Sequence, residues 1–341
     1  MIDCDIQFGS FKPKVPPQYK NTAADDDNCR TYSDCAIGPT WTALELTSIK
    51  RYNHDTSIFE FKLPDPNMNL NLPVTAHFLV KAYADDEVHV RPYTAIEERP
   101  GTFQMMVKLY KEWGVPESQL KNRSVFLYAK TDHSYKPPGV VSNYIHSLKV
   151  GDKLEFKHND ICKRQISFPF ETSITNITMI AVGAGVAPMI RILRALLDGS
   201  KVYNGIKSIR LLYGVRTVDD ILQRELLDKW HEASNNFKVC YCIGSRWGNV
   251  HFHAKTSNAQ GPPLPQGWDN VPEDRKELGW VDGDKVHRRG SSDSKDEGHR
   301  IFICGLPGVY LSLAGPRSDA TVEKHTQLGR LGYRDFQVIK F

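Results

Sequence analysis

The hydrophobic pattern of this chain changes period once, near residue 170, and that change limits the folds open to it. From Trp41 to about Lys163 the apolar residues come in short alternating runs, TALELTSIKRY, SIFEFKLP, AHFLVKAY and FQMMVKLY, broken by Pro, Gly, Asn and Asp. A period of two turns one side of each strand toward a core, so this half reads as an antiparallel barrel or sandwich. From about Ser173 each apolar strand is followed by an amphipathic stretch: ITMIAVGAG then VAPMIRILRALLDG, SIRLLYGV then DDILQRELLDKWHEA, then FKVCYCIG. Strands that alternate with helices form a parallel sheet covered on its faces. At 341 residues the chain has room for both architectures in succession.

The expected divisions are a polar extension over residues 1–39, a barrel domain over 40–168 and an α/β domain over 169–341. The extension is rich in Pro, Lys, Asp and Asn and holds an acidic run, Asp25 to Asp27, so folding is expected to begin at Trp41. Two long polar insertions interrupt the domains, at about 112–138 and about 246–300. The piece DGDKVHRRGSSDSKDEGHR in the second reads as a solvated loop.

Composition excludes several classes. With 44 basic and 40 acidic residues the net charge is +4, and the basic residues are scattered rather than gathered into a stripe, which argues against nucleic acid as a partner. Seven cysteines in so long a chain do not make a disulfide framework, and a reducing compartment is expected. Neither Cys29 with Cys35 nor Cys240 with Cys242 has zinc-knuckle spacing, so no metal is expected. The opening MIDCDIQFGSFKPKVPPQYK reads as neither a signal nor a transit peptide, and no segment reads as a membrane span.

Four short stretches carry chemistry. Arg91-Pro92-Tyr93-Thr94 follows a strand of the barrel half; an Arg can pair with a diphosphate, a Tyr can lie on a flat ring, and a Thr hydroxyl can bond a ring heteroatom. Alone, it reads equally well as a strand end with a surface Arg. Gly139-Val140-Val141-Ser142 opens a short helical pattern whose free N–H groups suit a phosphate, or simply cap a helix. Gly183-Ala184-Gly185-Val186-Ala187-Pro188 joins an apolar strand to a helix, as a dinucleotide-binding turn does, although a turn with no ligand has the same chemistry. Cys304-Gly305-Leu306-Pro307-Gly308 ends the strand IFI, where ligands of open parallel sheets collect.

In order and spacing these stretches resemble the NADH–cytochrome b5 reductase family, from about Trp41 to Phe341. HDTSIFEFKLP, LPVTAHF, RPYT, VKLY, GVVS, VGD with LEF, GAGVAP, DDILQRELL, CGLPG and LGYRDFQVIKF carry the resemblance, and the last, with AGPR upstream, is most similar to fungal mitochondrial members. The resemblance implies an antiparallel six-stranded FAD-binding barrel followed by a doubly wound parallel-sheet nucleotide-binding domain. It implies hydride transfer from NADH, or NADPH, to FAD and single-electron transfer to cytochrome b5 or another one-electron acceptor protein. Arg91 would then hold the FAD diphosphate, Pro92 and Tyr93 would pack by the isoalloxazine, and Thr94, supported by His77, would bond near its reactive edge. Met106, Lys108, Val141 and Ser142 would line the FAD. Gly183, Gly185, Ala187 and Pro188 would form the nicotinamide-side turn, with Cys304 and Gly305 beside the ring.

Three departures from the family pattern bear on function. Ala187 stands for a Thr that contacts flavin in relatives, and Val140 stands where Lys is common. Gly244-Ser245-Arg246 replaces the acidic residue that binds adenosine ribose, and Ser245 with Arg246 resembles a 2′-phosphate site of NADPH users. The expected location is mitochondrial, with the cytoplasm or attachment to a membrane through a partner as alternatives. A second reading keeps the fold as a structural subunit of a larger complex, built through the N-terminal extension and insertions, with weak or no catalysis.

Overall fold

A computed structural model describes residues 35–84, 86–112, 137–158, 166–198, 205–244 and 264–341. Its first half is an antiparallel sheet of seven strands: β1 (Thr42–Arg51), β2 (Thr56–Lys62), β3 (Phe78–Ala84), β4 (Glu87–Tyr93), β5 (Ala95–Arg99), β6 (Thr102–Lys108) and β7 (Lys153–His158). Their order is β4-β3-β7-β1-β2-β6-β5, so β4 and β5 stand at opposite edges. Only Thr94 separates them in the chain. They are thus one bent strand that serves both edges, which closes the sheet and reconciles seven strands with the six-stranded barrel expected.

Alternation along the strands fills the barrel. Phe61, Phe78, Phe103 and Phe156 point inward from β2, β3, β6 and β7, and their rings meet mostly edge to face at 4.9–5.8 Å. The barrel core also takes in Cys35 and Ile37, with the Ala36 N–H donating to Leu70 O, so packing begins earlier than Trp41. Val141 and Ile145 of helix α1 (Val140–Ser147) close one side of that core.

The second half is a parallel six-stranded sheet, β8 (Asn176–Val182), β9 (Ser208–Val215), β10 (Phe237–Ile243), β11 (Lys276–Leu278), β12 (His299–Cys304) and β13 (Val338–Lys340). The order is β11-β10-β9-β8-β12-β13. Succession runs one way from β8 to β11, then jumps back across β8 to β12. The strand order therefore reverses between β8 and β12, and a doubly wound sheet has its ligand crevice there, beyond the strands' carboxyl ends.

The region 264–300 is more regular than its composition implied. It supplies β11 to the sheet edge beside β10, then helix α4 (Gly283–Arg289); helices α2 (Val186–Leu193), α3 (Arg224–Ala233) and α5 (Pro307–Leu313) precede and follow it. The Asp282 side chain caps α4 by accepting from the Lys285 N–H at 2.9 Å, and Val286 is fully buried. One buried apolar residue in two turns leaves no hydrophobic period to read, which is why this piece looked like a solvated loop. The last turn of α4 is fixed by Arg288 and Arg289, both paired with Glu277 of β11.

Beyond α5, the ammonium of Lys340 enters the loop 314–321 and donates to four backbone carbonyls, of Ala314, Pro316, Asp319 and Thr321, at 2.8–3.1 Å. Burial pushes its pKa down, opposed by the carboxylates of Asp319, Glu323 and Asp335. Lys340→Met would leave buried carbonyls unpaired, and a urea titration is expected to show a loss of about 2–4 kcal/mol. An unchanged midpoint would show that the loop closes without that cage.

Candidate active site between barrel and sheet

The seam at Thr94 is linked to the crevice at β8 and β12 by α2, whose Arg191 donates to Ala95 O at 3.3 Å. On the barrel side, Phe78 pairs with Tyr93 in the β3–β4 ladder, which brings His77, just before Phe78, alongside Thr94. Tyr93 packs on the barrel core, and burial raises its pKa, with the nearby Tyr110 adding to the rise and Arg91 opposing it. Arg91 is half-buried, and its Nη1 donates to Val90 O at 2.9 Å. His77 is held neutral: burial, helped by the charge of Arg317, lowers its pKa to about 3.

On the sheet side, Gly185 rests against Cys304-Gly305. A Cβ on Gly185 would lie 2.2 Å from the Cys304 carbonyl oxygen, so only glycine allows the two turns to touch. Gly183 has φ +55°, and nothing stands within 4 Å of where its side chain would be. That open space over a strand-to-helix turn fits close approach of a dinucleotide. Tyr213 braces the turn from below, donating to Gly183 O at 3.1 Å and accepting from the Leu222 N–H. Ala187 is buried and presents only a methyl group to the core. Burial raises the Cys304 thiol pKa, opposed by Arg317 and by a hydrogen bond with Tyr310. The Tyr310 hydroxyl accepts from the Gly305 N–H and donates to Phe341 O, tying this turn to β13.

Not every expected residue presents surface to the cleft. Met106 is buried in the core shared with the second sheet and Val141 in the barrel core, so neither side chain has free surface for a ligand in this structure. Lys108 spans the domains, pairing with Asp55 at 2.8 Å and Asp220 at 3.1 Å. Burial pushes the Asp220 carboxyl up, but Lys108, the Thr217 hydroxyl and Arg216 together hold it below the usual range. His54, Asp55 and Asp220 lie close enough to hold an ion, and the ammonium of Lys108 already sits between the two carboxylates. Ser142 is buried with its hydroxyl donating to Gly139 O at 2.9 Å. Ser245 and Arg246 lie outside the described residues, as does most of the first insertion; Gly244, just before them, has φ +134° against Gly279.

Tyr110 was missed. Its backbone is pinned by the Gly139 N–H at 2.9 Å and by Asn143, and its hydroxyl, crowded by its surroundings and by Cys304 and Asp55, has its pKa pushed up to about 12. It is still 41 % exposed, so it stands at the cleft mouth between the domains. An aromatic just past the end of a strand, two residues after Lys108, was the available signal.

Comparison with known proteins agrees with this geometry. Residues 43–159 match the model of the oxidoreductase FAD-binding domain and residues 179–258 that of the oxidoreductase NAD-binding domain. NADH-cytochrome b5 reductase 2 of Coccidioides immitis is 26 % identical over 309 residues, covering 88 % of this chain and 77 % of the relative. Its counterpart in Yarrowia lipolytica is 27 % identical over 308 residues, covering 88 % and 86 %. The chain belongs to the FAD- and NAD-binding oxidoreductases of the cytochrome b5 reductase type. The cytochrome b5 reductase domain of Ulva prolifera nitrate reductase shares the fold of this reductase, with a TM-score of 0.63 at 22 % identity over 90 % of this chain and all of that one.

Two measurements probe the reductase site. Gly185→Ala forces the turns apart, so NADH affinity is expected to fall at least ~10-fold, about 1.4 kcal/mol, with flavin content unchanged; parental affinity would show that the Gly185–Cys304 contact is dispensable. His77 stays neutral in the fold while the unfolded chain takes up a proton below about pH 6.5. Stability attributable to it should therefore fall as pH drops from 6.5 toward 3, by about 1.4 kcal/mol per pH unit. Denaturant titrations of His77→Gln should lack that slope, and an identical slope would assign it to other groups.

Proposed function

We propose that this reductase takes hydride from NADH and passes electrons singly to cytochrome b5 or a similar haem protein. The observation that carries the reading is that the helix leaving the Gly183–Gly185 turn is tied to the barrel seam, Arg191 donating to Ala95 O at 3.3 Å beside Thr94, while Gly185 rests on the Cys304 carbonyl at the switch point of the sheet. Bound FAD supplies an acceptor of two electrons that can be discharged one at a time. Arg91 would pair with its diphosphate and Tyr93 would pack on its ring, with the Thr94 hydroxyl bonding the ring edge. Neutral His77 can support Thr94 by hydrogen bonding without adding charge. Cys304, kept as a thiol, and Gly305 would seat the nicotinamide, and Tyr110 would limit water at the mouth.

Ser245 and Arg246, in place of a ribose-binding acid, support use of NADPH as a finer form of this proposal. A mitochondrial location is proposed from the likeness of LGYRDFQVIKF to fungal mitochondrial members, and organelle fractionation tests it. The methyl of Ala187 favours a second reading, in which the fold serves assembly into a larger complex and turnover is weak.

The test is the visible spectrum of the purified protein, followed anaerobically as NADH and then NADPH are added. A yellow protein bleached promptly is expected, and equal or better affinity for NADH would remove the NADPH preference. A colourless protein, or a yellow one that neither donor bleaches, would overturn the reductase reading in favour of assembly.

A further inference from the structure

We propose that Arg191 is a positioning residue for hydride transfer: its buried guanidinium fixes the Gly183–Gly185 turn at a set distance from the barrel seam. The assignment rests on the reductase reading above.

Arg191 is the sixth residue of α2, the helix that springs from the Gly183–Gly185 turn, and its side chain is only 7 % exposed. It reaches out of its own domain into the barrel. Nε donates to Pro73 O at 3.4 Å, Nη1 to Ala95 O at 3.3 Å and Nη2 to Leu72 O, while Nη2 also pairs with Glu98. Each partner adjoins a site motif. Leu72 and Pro73 lead into His77, and Ala95 directly follows Thr94.

One rigid fork therefore gathers the three segments that must be in register for transfer. A guanidinium is planar and its donors point in fixed directions, so it sets orientation as well as distance, which a lysine ammonium does not. The helix between Arg191 and the turn is short and stiff, about 1.5 Å per residue, so the clamp acts on the turn with little slack.

The barrel is shaped to receive it. β5 bulges between Ala95 and Glu97, leaving Ile96 as the extra residue, and Arg194, at the start of the π-helical turn that continues α2, donates to Ile96 O at 2.9 Å. Consecutive carbonyls of β5 are thus held by side chains at i and i+3 of one helix. Arg194 is more exposed and leans on Glu97 and Asp198, so it assists the clamp without reaching the segments around His77.

The step served moves one hydride, a proton with two electrons, from the dihydronicotinamide to the flavin and leaves the oxidised nicotinamide; Arg191 gains and loses nothing. Misplacement by about 1 Å can cost a reaction about 100-fold.

The experiment compares the parent with Arg191→Met and Arg191→Lys by rapid-mixing measurement of flavin bleaching, the long-wavelength charge-transfer band of the reduced protein with NAD+, and scanning calorimetry. Arg191→Lys keeps the charge beside Glu98 but cannot serve three carbonyls, so it tests the idea even if Arg191→Met fails to fold. Both variants that fold are expected to keep their flavin, to bleach about 10- to 100-fold more slowly at saturating NADH and to show a weaker charge-transfer band. Calorimetry should show the parent's single transition splitting as barrel and sheet uncouple. A variant that melts earlier but bleaches at the parental rate with an unchanged band overturns the proposal and leaves Arg191 a structural residue. A colourless parent would sink the reductase reading instead, and the calorimetry would then decide the mechanical coupling by itself.

Discussion

A strand that belongs to both edges of its own sheet is the constraint on which this structure depends. β4 and β5 are continuous but for Thr94, and the barrel closes only because the chain bends there. The residue at the bend, Thr94, belongs to neither strand. The motif Arg91 to Thr94 thus runs along β4 and ends at the bend itself.

The second sheet meets that seam with its own irregularity. Strand order reverses between β8 and β12, and the two turns leaving those strands touch through Gly185 and the Cys304 carbonyl. Side chains behind the turns hold them in place: Tyr213 under Gly183, Tyr310 under Gly305, and the Lys340 ammonium within the following loop. Positioning comes from buried polar groups whose partners are backbone N–H and carbonyl groups. Such contacts tolerate little displacement, because each unmet carbonyl costs about 1–3 kcal/mol.

Fold class and the order of the motifs were legible in the sequence because they rest on local periodicity. Alternation in SIFEFK and FQMMVK and the strand–turn–helix of ITMIAVGAGVAPMIRIL need no long-range information. The roles of Lys108 and Met106 were not legible, because a side chain's environment across a domain boundary has no signature within a ten-residue window. Lys108 finds Asp220, 112 residues away, and Arg191 finds Leu72 in the loop before β3 and Ala95 at the start of β5, 119 and 96 residues away. α4 was hidden for the opposite reason: with Val286 as its one fully buried apolar residue, capping and ion pairs define it.

β6 carries apolar residues on both of its faces. Phe103, Met105 and Val107 look into the barrel, while Met106 on the reverse side joins Ile96 in a cluster made mostly by the second sheet, including Met179, Ile190 and Phe302. The two halves are therefore poor candidates for separation into modules. A barrel excised after residue 159 would display the back of β6 to water as a sticky stripe. The places where one domain description ends and the next begins mark a change of architecture, and they do not mark a line along which the molecule could be cut.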